Sequence, residues 1–155
     1  MSARSRFALP CSAPQPLGSD DVRIVVNVDV DDLEKAIEFY TSALGLRLGR
    51  YLFAGSVAEM LGATSTLHLL SKPSGSTAVA SDALSREYNR HWTPVHLDFE
   101  VENVSATVER AIRAGAKLEG DIQSFPWGRL AVMSDPFGHG FCVLQFLGDG
   151  YDEIV

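Results

Sequence analysis

The sequence predicts an α+β fold of two repeated β-α-β-β-β modules that form a curved mixed sheet with helices on its outer face. Three observations predict it. The segments Val25–Ile37 (VVNVDVDDLEKAI) and His96–Val108 (HLDFEVENVSATV) overlie in one register, with Val30 on Val101, Leu33 on Val104 and Ile37 on Val108. In both copies a two-residue apolar alternation passes into a helical period. Each helix is then followed by short apolar runs separated by turn residues. The copies differ at their first position, where Val25 stands opposite His96.

The elements follow in order. Residues 1–20 hold Pro10, Pro14, Pro16 and Gly18 and are expected to be a flexible arm. Val22–Val30 alternates as a strand. Asp31 or Asp32 then caps a helix whose apolar stripe is Leu33, Ala36, Ile37, Tyr40 and Leu44, and Gly45 ends it. Strands are expected around Tyr51–Ala54, Val57–Leu61 and Thr66–Leu70, and Pro73–Ser76 is a turn. Residues 77–94 form a polar connector in which Asp82–Asn89 has room for one or two helical turns. The second module repeats the order, with strand His96–Val101 and a helix from about Asn103 to Ala114. Strands at Lys117–Glu119, Arg129–Ser134 and Gly140–Phe146 follow. The domain is expected over residues 21–148, with modules at about 22–76 and 95–147 and a polar tail at 149–155.

A formal net charge of −7 argues against nucleic acid as a partner, because neutralising phosphates requires a clustered basic face. The one local basic cluster, Arg86, Arg90 and His91, reads as a solvated loop. No apolar run approaches the ~20 residues of a membrane span. Cys11 and Cys142 do not make a disulfide framework, so a reduced, cytoplasmic protein is expected.

Strand parity locates a candidate site. Val26, Val28 and Val30, like Leu97, Phe99 and Val101, form the apolar parity that packs on the helices. The opposite parity carries Val25, Asn27 and Asp29 in one copy and His96, Asp98 and Glu100 in the other. By the same logic His68, Cys142 and Leu144 face the free side. Gln145 then falls awkwardly among helix-facing positions. Trp127 offers a plane for stacking and Arg129 a partner for an anion. Asp98, two residues after His96 on one face, is positioned to orient the imidazole or to act with it as a base. His139, in the turn DPFGHG, is expected to face solvent.

The strings VDDLEKAIEFYTSALGL (Val30–Leu46), PWG (Pro126–Gly128) and SDPFGHGFCVLQF (Ser134–Phe146) resemble the vicinal oxygen chelate superfamily, which holds the glyoxalases, bleomycin-resistance proteins and extradiol dioxygenases. The resemblance covers about residues 22–147 and is specific for the fold rather than for one activity. It implies metal-ligand positions at Val25, His68, His96 and Cys142, where metal-using members carry His or Gln, Glu, His and Glu. Here only His96 keeps the usual residue type. The favoured expectation is therefore a protein with a degraded metal site and no cofactor. It would bind a small molecule in a concave pocket that includes Asn27, His68, His96, Trp127, Arg129 and Leu144. The bleomycin-resistance branch also implies a homodimer. The alternative is a lactoylglutathione-lyase-like or extradiol-dioxygenase-like enzyme holding Zn, Ni, Mn or Fe through His68, His96 and Cys142. A second alternative is a metal-free enzyme using His96 and Asp98.

Overall fold

Each repeat closes on itself by joining its first strand to its last. In a computed structural model describing residues 23–78 and 84–154, β1 (Val25–Val30) is followed by α1 (Leu33–Leu44), β2 (Arg47–Leu52), β3 (Val57–Leu61) and β4 (Thr66–Ser71). β1 lies parallel to β4, giving a four-stranded sheet in the order β1-β4-β3-β2. The second repeat runs β5 (Leu97–Glu100), α2 (Val104–Arg113), β6 (Lys117–Leu118), β7 (Gln123–Phe125), β8 (Gly128–Ser134) and β9 (Gly140–Phe146). Its sheet has the order β5-β9-β8-β6, with β5 parallel to β9 and β7 paired on β8. The α+β class and the repeated module thus hold, with the strands in two mixed sheets, one per repeat.

The helices start and stop for local reasons. Asp32 Oδ1 accepts from the Lys35 amide at 3.0 Å, and Asn103 Oδ1 from the Ala106 amide at 2.9 Å. These caps satisfy amides that the first helical turn leaves without partners. Gly45 ends α1 at φ 73°, a left-handed conformation that suits glycine.

One core serves both repeats. Val28, Val30, Phe39, Met60 and Leu69 of the first belong to the same buried cluster as Val104, Met133, Phe137 and Val143 of the second. The Phe39 ring meets Phe141 edge-on at 6.4 Å. A polar bond crosses as well. The Tyr40 hydroxyl donates to Asp135 Oδ2 at 3.0 Å, 95 residues along the chain. Asp135 also accepts from the Phe137 and His139 amides, each at 2.9 Å, and its Oδ2 lies 2.8 Å from His139 Nδ1. His139 is therefore half-buried on a carboxylate rather than solvent-facing.

The strand expected at Tyr51–Ala54 is Arg47–Leu52, followed by a tight turn in which Phe53 and Ala54 have positive φ. β7 is an unforeseen short strand. The described part of Asp82–Asn89 is not helical. Its backbone instead makes a bridge between Thr77 and Ser85 and a bond from the Arg86 amide to Ser76. The basic cluster is not simply solvated either. Arg86 Nε lies 2.6 Å from Asp29 Oδ2, and Arg90 pairs with Glu119. The N-terminal arm and Cys11 lie outside the described residues. Among the described residues no helix is long and apolar enough to cross a membrane.

Candidate functional site

In the first sheet the free parity forms a polar row across four strands. Register pairing sets Asn27 beside His68, His68 beside Glu59, and Glu59 beside Arg50. Asn27 Oδ1 accepts from His68 Nδ1 at 3.3 Å, which turns Nε2 toward Glu59 Oε1 at 3.8 Å. Arg50 holds Glu59 from the other side at 3.0 Å. Val25, at the head of this face, has no donor atom and is exposed.

In the second sheet β5 and β9 place Asp98 directly beside Cys142 and Glu100 beside Leu144. His96 Nε2 lies 3.2 Å from Asp98 Oδ1, and the Cys142 thiol hydrogen-bonds the same carboxylate. Burial pushes the thiol pKa up to about 11, helped by the Asp98 charge and by that hydrogen bond. At pH 8 the thiolate is then roughly a hundredfold scarcer than in a thiol with the ordinary pKa of 9.0. In a Cys11→Ser background, Cys142 is expected to react very slowly with iodoacetamide at pH 8. Asp98→Asn should speed the reaction, because it removes the charge while leaving the burial. An unchanged rate would show that Asp98 does not hold the thiol.

His96, Asp98 and Cys142 bring one donor atom each within 4.8 Å of one another, the one such cluster among the described residues. The expected trio of His68, His96 and Cys142 is not that cluster. His68 sits on the first sheet, bonded to Asn27, and Asp98 takes its place. One of the ligand positions that the resemblance implies is a valine, and the thiol at another hydrogen-bonds Asp98. In each sheet a carboxylate stands one strand aside from the position that carries an acid in metal-using members: Glu59 beside His68, and Asp98 beside Cys142.

A cleft of about 720 Å³ runs between the turn at Gly62–Ser65 and β5. Leu67, Phe99 and Phe146 are among its apolar lining, and Asp98, Glu100 and Glu102 line it with carboxylates. No Lys, Arg or His is among its lining residues. At the far end of β9, Phe125 and Trp127 stack at 5.1 Å and 4°, and Trp127 touches Phe146 and Tyr151. Leu144 is buried in the floor of the free face. Arg129 leaves this face. It pairs with Gln145 in the helix-facing register, and its Nη1 donates to Ser105 of α2 at 3.1 Å. Gln145 caps the same helix by accepting from the Val104 amide at 3.1 Å, which accounts for a polar residue at that position.

Glu59 is a part of these faces that the sequence reading missed. Glu59 was within reach, since it has the right parity in a hairpin turning at Gly62–Ser65. Trp92 lies in the connector, where the sequence allows a pocket rim or a dimer contact.

Two β-α-β-β-β repeats with open strand faces, each carrying a histidine, define the vicinal oxygen chelate class. The family model for the glyoxalase-like domain matches residues 25–144, and the chain belongs to that family. It is similar to the anthracycline biosynthesis protein DnrV of Streptomyces peucetius, with 30% identity over 81% of this chain and 42% of DnrV. It thus spans less than half of that relative's length. It is equally similar to the uncharacterized protein Mb0911c of Mycobacterium bovis, with 30% identity over 75% of this chain and 78% of that protein. Among solved structures, TnmS3, an antibiotic-binding protein from Streptomyces sp. CB03234, superposes with a TM-score of 0.58 at 25% identity. That match covers 84% of this chain and 100% of TnmS3. A glyoxalase/bleomycin resistance protein/dioxygenase family enzyme from Burkholderia phytofirmans PsJN superposes at 0.58 and 19% identity, over 79% of this chain and 97% of its own, and shows the fold alone.

Proposed function

We propose that this protein binds a small, flat, largely apolar molecule along the open strand faces, without the metal that its superfamily's enzymes use. One observation carries the reading. The cleft, which meets the open face of the second sheet at Asp98, Glu100 and Phe146, joins apolar and aromatic walls to carboxylates and has no cation among its lining residues. Its volume lies in the range of small-molecule sites, roughly 300–1,000 Å³. The name of DnrV and the antibiotic binding of TnmS3 support a natural-product ligand. The two cysteines without a disulfide framework support a cytoplasmic setting. We further infer a homodimer. Ile24, Val25 and Val95, at the heads of the two edge strands, leave 66%, 44% and 82% of their surface exposed, and a second copy would cover them. A monomer in sedimentation equilibrium at micromolar concentration would overturn the dimer.

The ligand reading is tested with two probes of one shape and opposite charge, 9-aminoacridine and 9-anthracenecarboxylate. The cation is expected to bind at least about tenfold more tightly, equivalent to ~1.4 kcal/mol. EDTA should leave its affinity unchanged, and Asp98→Asn with Glu100→Gln should erase the preference. Metal quantified per chain provides the opposing result. Stoichiometric Zn, Ni, Mn or Fe that disappears in His96→Ala, with EDTA-sensitive probe binding, would overturn the reading.

The 3.2 Å contact between His96 and Asp98 favours a second reading, a metal-free enzyme in which this pair moves a proton. Turnover that survives in both His96→Ala and Asp98→Ala would rule it out.

A further inference from the structure

We propose that Trp92, a connector residue, is the aromatic wall of the binding site and the positioning residue that holds His96, seated there because residue 140 has no side chain. The proposal rests on the ligand-binding reading above. It begins with the connector, which is tied down on both sides of the molecule before it reaches Trp92. Arg86 bonds Asp29 on the free face of the first sheet, and the Tyr88 hydroxyl donates to the Lys72 carbonyl at 2.7 Å. On the second repeat the His91 amide donates to the Gly138 carbonyl at 2.9 Å, and Arg90 Nη2 lies 2.6 Å from Glu119 Oε2.

These ties deliver the indole to one place. Its centroid lies 4.7 Å from the His96 imidazole, with the two planes 35° apart, and the Arg90 guanidinium sits 5.5 Å over it. A Cβ at position 140 would overlap Trp92 Cε3 and lie 2.5 Å from Cζ3. Gly140 is not among the glycines with positive φ, so its backbone accepts any residue. The glycine is required for space alone. Residue 140 shares its parity with Cys142, so the indole lies on the free face beside the His96–Asp98–Cys142 cluster.

Two consequences follow for the site. His96 is touched by Asp98 at Nε2 and by the indole across its plane, so Trp92 fixes the plane in which Nε2 addresses the carboxylate. The indole also keeps 47% of its surface exposed, apolar area beside His96 and Arg90 that a ligand can cover. Phe146, edge-on to Trp127, lies six residues further along β9. At about 3.3 Å per residue, the free face has aromatic groups at both ends of a span of roughly 20 Å. The ligand class is therefore an elongated flat ring system that contacts Trp92 at one end.

The test combines 9-aminoacridine titration with the NMR resonances of the His96 ring protons. In the wild type these protons are expected upfield, displaced by the indole ring current. Trp92→Ala and Gly140→Ala should both abolish that displacement and weaken probe binding about tenfold or more. Trp92→Phe should restore most of what Trp92→Ala loses. Gly140→Ala removes no side chain from the site; if it fails to fold, Trp92→Ala alone decides. Wild-type binding that is unchanged in Trp92→Ala overturns the wall and leaves the proposed function standing. Undisplaced His96 protons in the wild type overturn the positioning role whether or not the probe binds. No wild-type binding of either charged probe overturns the proposed function and the wall together.

Discussion

Asp135→Ala is expected to lose roughly 2–4 kcal/mol of stability, among the largest effects of any single change outside the apolar core. The carboxylate is buried and takes hydrogen bonds from the Tyr40 hydroxyl and from the amides of Phe137 and His139. Removing it strands those donors where water cannot reach them, and it cuts the polar bond between the repeats. For a chain of this size the melting temperature should fall by about 5–15 °C. Tyr40→Phe should cost less, since one of the four contacts to the carboxylate goes and no charge is left without partners. The pair also sets an alkaline limit. Burial first, then the Asp135 charge and hydrogen bond, hold the Tyr40 pKa well above 10.0. The folded chain keeps a proton that the unfolded chain releases, so stability is full below pH 10 and falls as pH rises above it. Tyr40→Phe should flatten that decline in urea titrations between pH 9 and pH 11. Tyr51 and Tyr88, whose pKa values are also raised, should retain the remainder. An equal slope in both proteins would show that Tyr40 is not the group responsible.

Gly138→Ala should be comparably severe, roughly 2–5 kcal/mol, through two separable costs. Gly138 has φ +88°, where a side chain costs about 1–2 kcal/mol. A Cβ there would also overlap the Asn89 carbonyl oxygen and lie 2.5 Å from its carbon, adding an overpacking cost of about 1–3 kcal/mol. Gly45→Ala supplies the control. Gly45 has φ +73° with nothing within 4 Å of the added carbon, so it should show the conformational cost alone. Urea denaturation of the two variants measures the difference. Equal losses would mean that the connector yields to the methyl group and is not pinned at Asn89.

The repeats were legible in the sequence because their signals are local. Asp32, Asn103 and Gly45 cap helices from neighbouring positions, and the alternation Val26, Val28, Val30 marks a buried strand parity without reference to the rest of the chain. Placing His96, Asp98 and Cys142 on one side of the sheet needed nothing more. What was missed depends on partners distant in the chain. Asp98 meets Cys142 only through the register of β5 on β9. Arg86 reaches Asp29 across 57 residues, and Arg90 reaches Glu119 across 29. Gln145 looked misplaced because α2, whose first amide it caps, was not yet in position above it. β7 is three exposed residues, too short to show a period.

The division of each strand between two parities bears on how such a protein can diverge. Val28, Val30, Leu67, Leu69, Phe141 and Val143 hold the fold, while Asn27, His68, Asp98 and Cys142 alternate with them and lie outside the common core cluster. Substitutions at the second group spare the apolar packing that sets most of the stability. A lineage could therefore exchange residues of the second group, one position at a time, while every intermediate still folds. New binding specificities would remain accessible by single steps.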